Sequence, residues 1–112
     1  IKAIRMLSAR QVEKAKSGHP GTPLGAAPVI ATLFGEFMKV DPEDPDFFDR
    51  DRFVLSSGHA SAMLYSTLHV CGYDVTAEDL AGFRSAYSPR VSTVRAARWW
   101  ITTPTRSAAT AA

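Results

Sequence analysis

Phe53-Val54-Leu55-Ser56-Ser57-Gly58-His59-Ala60-Ser61 is the stretch that decides how the chain reads as a fold. Residues 53–56 are a short apolar run of strand formers, the composition of a strand buried in a parallel sheet. Ser57-Gly58 makes a turn. A helix follows from about Ala60 to Cys71, with Leu64, Thr67, Leu68 and Cys71 on one face and Gly72 as its stop. Strand, glycine turn, helix is an arrangement that brings ligands to the helix N-terminus. The chain therefore reads as α/β, with mostly helices visible and one parallel-type core strand.

Upstream, residues 2–16 predict a helix with Ile4, Leu7, Val12 and Ala15 on one face, stopped by Gly18 and Pro20. A second helix is predicted over 27–39, because Pro28 fits only a first turn and Ile30, Leu33, Phe34 and Phe37 then follow helical spacing. Asp41-Pro42-Glu43-Asp44-Pro45-Asp46 is turn chemistry. Downstream, Thr76 heads a short helix over 77–84, with Asp79 completing a capping box.

Between the first two helices lies a second glycine–histidine corner, Ser17-Gly18-His19-Pro20-Gly21. A glycine beside a histidine lets the backbone bend sharply and lets a ligand approach the main chain. The imidazole adds a donor or acceptor that changes charge near neutral pH. Two such corners predict one site built from two loops. Taken alone, His59 serves equally as a helix cap or as an anion ligand. A lone loop histidine such as His19 is more often simply solvated. His69, inside a helix, reads as structural.

Composition narrows the function classes. At 112 residues the chain is one small domain or part of one. A net charge of +2 does not call for a polyanionic partner. The lone Cys71 rules out an internal disulfide framework and fits a cytoplasmic protein. No apolar run has the length of a membrane span. The histidines and cysteine lack zinc spacing, and no serine has a histidine and acid at triad spacing. Asp49-Arg50-Asp51-Arg52 reads as a solvated turn with local ion pairs. Residues 87–112 carry Arg90, Arg95, Arg98 and Arg106 and no acid, around Trp99-Trp100. They read as a divergent basic tail, out of frame or disordered, and neither a nucleic-acid nor a membrane partner is expected.

Residues 1–86 resemble the N-terminal part of the thiamine diphosphate-binding domain of the transketolase family. The resemblance is carried by Ala15-Lys16-Ser17-Gly18-His19-Pro20-Gly21, Pro23-Leu24-Gly25-Ala26-Ala27 and Asp49-Arg50-Asp51-Arg52-Phe53-Val54-Leu55-Ser56. Gly58-His59-Ala60-Ser61, Leu64-Tyr65-Ser66, Gly72-Tyr73-Asp74, Glu78-Asp79-Leu80 and Phe83-Arg84 follow in the same order, over about three quarters of the chain. One departure is Ala60, where the family often has glycine.

The resemblance implies transfer of a two-carbon ketol group between sugar phosphates in a homodimeric cytoplasmic enzyme. His19 then has a catalytic and substrate-binding role, managing protons at the sugar, while His59 and Gly58 bind the cofactor diphosphate. It also implies Mg2+ or another divalent cation, whose ligands, like the acid that activates the cofactor, lie in segments this chain lacks. No metal ligand is expected here, and the fragment alone is expected to be inactive and poorly stable by itself. Dihydroxyacetone synthase and deoxyxylulose-phosphate synthase are related enzyme readings. A non-catalytic fragment or interaction module is the reading from another class.

Overall fold

Ile4, Ser8 and Gln11 form the buried stripe of the first helix, α1 (Lys2–Ala15), and two of the three are polar. They are tolerated because the helix opposite, α3 (Ser61–Cys71), offers partners. Gln11 Nε2 donates to the Ser66 hydroxyl at 2.7 Å and to the Ala62 carbonyl at 3.1 Å. The Ser8 hydroxyl lies 3.2 Å from that of Ser66, which itself donates to Ala62 at 2.8 Å. These bonds offset the burial of the two hydroxyls and of the Gln11 amide nitrogen, while Gln11 Oε1 is buried without a partner. The small Ala62 and Ser66 also let the two helices approach closely.

The computed structural model describes residues 1–83. After α1 come α2 (Gly21–Thr32), a π-helical turn (Leu33–Phe37), a 3-10 turn (Gly58–Ala60), α3, and the short α4 (Ala77–Ala81). α3 is buried almost all round, as expected of a central helix. It packs on α1, α2 and α4, and its Leu64 and Leu68 meet Ile4, Ile30, Phe34, Leu55, Val75 and Leu80 in the core. No helix among the described residues is long and apolar enough to cross a membrane.

Five sequence expectations need correction. The expected core strand over 53–56 is not formed, and there is no strand among the described residues. A strand needs a neighbour for its backbone groups, and residues 1–83 supply no second strand. The segment keeps a strand-like alternation, with Val54 exposed, Leu55 buried and the Phe53 ring 5.5 Å from that of Phe34.

The second helix begins at Gly21, not 27, so Pro28 lies inside it. Proline has no N–H to give the carbonyl four residues back, that of Leu24. Arg5 of α1 supplies the missing donor, its Nε reaching the Leu24 oxygen at 2.9 Å. A long-range side chain thus replaces the lost bond, which no local pattern reveals. Beyond Thr32 the helix widens into the π turn, closed by Met38 N–H to the Leu33 carbonyl at 2.7 Å. The wider turn leaves Phe34 buried and swings Phe37 out to 73% exposure, against the 3.6-residue expectation.

The stop of α1 also differs. Lys16, not Gly18, takes the left-handed cap position (φ 49°), its N–H returning to Val12 and Glu13. Finally, α4 ends at Ala81 rather than 84, although its Thr76–Asp79 capping box is complete. Arg84 and the tail at 87–112 lie outside the described residues.

Gly72 ends α3 as expected, at φ 94°. His69 Nδ1–H donates to the Val75 carbonyl at 2.6 Å and pins the following turn. The loop after the π turn closes on itself. Asp51 accepts from Lys39 N–H at 2.7 Å through its carboxylate and donates its own N–H to the Lys39 carbonyl at 2.9 Å. Lys39 Nζ adds an exposed ion pair to Asp49. Arg50 and Arg52 are spent on the carbonyls of Asp46, Phe47, Phe48 and Arg50 within that loop.

Tyr73, buried against this loop, carries a pH signature. Burial first, then the neighbouring Cys71 and Asp41, push its phenol up to about 12 from an ordinary 10.0. A raised acid binds its proton more tightly in the folded chain. Its contribution is therefore complete below the unfolded value and is lost as pH rises from there through about 12. Urea midpoints are expected to fall across this alkaline window in the wild-type chain, and less steeply in Tyr73→Phe. Equal slopes would refute the assignment.

Candidate functional site

The first corner is a tight reversal between α1 and α2. Ser17 N–H returns to the Val12 carbonyl at 3.3 Å, Gly18 follows at φ 134°, and Pro20 leads into α2. Gly18 is needed twice over. Its backbone angle is one that side chains resist, and a Cβ there would lie 3.1 Å from Val12 Cγ2 and 3.4 Å from Phe83 Cε1. His19 is carried on this braced turn with its side chain exposed.

The second corner is the 3-10 turn Gly58–Ala60 at the head of α3. Among the described residues only Lys16, Gly18 and Gly72 have positive φ, so Gly58 makes its turn without a left-handed backbone. No side chain caps the start of either the turn or α3, so His59 is not a helix cap. Its ring instead lies against His19, centroids 5.3 Å apart at 71°. His59 Nε2 is 3.4 Å from the hydroxyl of Thr22, in the first turn of α2. Two corners forty positions apart in sequence thus meet at a pair of imidazoles and a hydroxyl, open to solvent.

A match to the family described as transketolase, thiamine diphosphate binding domain, runs over residues 1–93. The chain belongs to the transketolase family. It is similar to the transketolase of Bacillus subtilis, with 58% identity over 84 residues, covering 75% of this chain and 13% of the relative. Among solved structures it is similar to transketolase from Leishmania mexicana, with a TM-score of 0.74, 53% identity, and coverage of 77% of this chain and 13% of that one. It is similar also to the Pichia stipitis transketolase in complex with sedoheptulose-7-phosphate, with a TM-score of 0.73, 51% identity and the same coverage. The chain therefore spans about an eighth of the length of these transketolases.

The donor set fits part of a thiamine diphosphate site. Imidazoles and a hydroxyl suit phosphate oxygens and sugar hydroxyls. They do not suit a hard cation, and among the described residues no group of three or more His, Cys, Asp or Glu is placed to hold a metal. A cavity of about 240 Å³ lies between α1 and α4, walled by Leu7, Arg10, Gln11, Lys14 and α4 residues. Neither histidine of the pair lines it.

Thr22 is the site residue that sequence reading missed. Starting the second helix at 27 left Thr22 in an undefined loop. Its signal was its position, a hydroxyl immediately after the Gly-His-Pro-Gly reversal.

Proposed function

We propose that this chain is the part of a transketolase that holds the diphosphate of thiamine diphosphate and faces the donor sugar phosphate, in the transfer of a two-carbon ketol group. The meeting of the His19 and His59 rings at 5.3 Å carries this reading. Thiamine diphosphate supplies the electron sink that stabilises a carbanion when bound. His59 would hold the diphosphate end through a hydrogen bond from its imidazole, with Gly58 beside it in the same turn. His19, on its rigid reversal, holds the sugar and moves a proton at one of its hydroxyls. The divalent cation, such as Mg2+, is held by residues outside those described. A second copy completes a homodimer in the intact cytoplasmic enzyme, a location that the lone Cys71 supports.

Isothermal titration of the full chain with thiamine diphosphate and magnesium tests this. Weak binding is expected, with no turnover. His59→Ala is expected to weaken that binding about ten- to a hundredfold, the worth of a hydrogen bond to a charged group. Absence of heat at about millimolar ligand would favour an inert fragment instead.

A further inference from the structure

We propose that Thr22 is a positioning residue for His59. Its hydroxyl tethers Nε2, fixes the ring and leaves Nδ1 as the nitrogen offered to a ligand. The purpose assigned to the tether rests on the reading of His59 given above, whereas its test needs no cofactor. Thr22 Oγ1 lies 3.4 Å from His59 Nε2, and no other hydrogen bond reaches this ring among the described residues.

The hydroxyl is carried on a stiff support. Thr22 is the second residue of α2, whose first turn is closed by Leu24 N–H to the Pro20 carbonyl at 3.1 Å. Pro23, fully buried, follows it directly and restricts the backbone. A β-branched side chain on a fixed backbone has few places to put its oxygen. The hydroxyl donates to bare Nε2, and the ring held in that way carries its proton on Nδ1, the nitrogen that donates to a ligand. With Nε2 tethered and the His19 ring edge-on at 71°, the imidazole is restrained on two sides. An exposed ring without such restraint loses more rotamer freedom on binding a ligand.

The test is the tautomer ratio of each histidine in the full 112-residue chain, read by NMR with isotope-labelled imidazoles. Thr22→Val keeps the shape and removes the hydroxyl, while Thr22→Ser keeps the hydroxyl. Thr22→Val is expected to lower the ratio of Nδ1–H to Nε2–H tautomer in His59 about two- to threefold, the low end for a hydrogen bond of this length. The His69 ratio, set by its bond to Val75, is expected to stay put, and Thr22→Ser to keep the wild-type His59 ratio. An unchanged His59 ratio in Thr22→Val overturns the proposal. So does a change that Thr22→Ser shares, since the backbone and not the hydroxyl would then set the ring. Failure of the wild-type chain to bind thiamine diphosphate bears on the proposed function and leaves these ratios where they are.

Discussion

Gly18→Ala is expected to destabilise the chain by about 2–4 kcal/mol, combining backbone strain with crowding of a packed contact. The φ of 134° is open to glycine and strains any other side chain, and the new Cβ would crowd Val12 at 3.1 Å and touch Phe83 at 3.4 Å. Val12 belongs to α1, so the relief available is to push the reversal outward. That moves His19 away from His59. The expected readout is a lower urea midpoint together with loss of ring-to-ring cross-relaxation between the two histidines. Gly21→Ala is the control within the same motif. It begins α2, where a Cβ meets nothing within 4 Å, and is expected to leave both readouts unchanged. Equal midpoints for the two variants would show that Gly18 is not a structural requirement.

Leu68→Ala is expected to cost about 2–5 kcal/mol, the range for emptying a leucine site in a close-packed interior. Leu68 is fully buried on the helix that touches α1, α2 and α4, so no single neighbour closes the void. Against a typical domain stability of about 5–15 kcal/mol, that loss is a large share. Val70→Ala, on the same helix at 49% exposure, is the matched control and is expected to fall within about 0.5 kcal/mol of wild type. A denaturant series on both variants decides the matter, and indistinguishable midpoints would mean that α3 is not the centre of the core.

The parts of the fold written locally were legible in the sequence. The Gly72 stop, the Thr76–Asp79 capping box and the helix after Gly58 each depend on residues within a few positions of one another. What was not legible depended on distant partners. Pro28 lies inside a helix because Arg5 satisfies Leu24. Ser8 and Gln11 are buried because Ser66 and Ala62 receive them. Residues 53–56 have the composition of a strand, but pairing requires a second segment. The two histidines were identifiable from their glycine corners. Their orientation, and the hydroxyl that meets one of them, followed from the true start of α2.

The closure between Lys39 and Asp51 has a consequence for how such a chain tolerates change in length. Two backbone-anchored bonds fasten the neck of the excursion between them, so residues 40–50 leave and rejoin the fold at one place. Extra residues spliced into that excursion are absorbed outward, and doubling its length costs only about 0.6 kcal/mol of chain entropy. Separation along the sequence is thereby uncoupled from separation across the site.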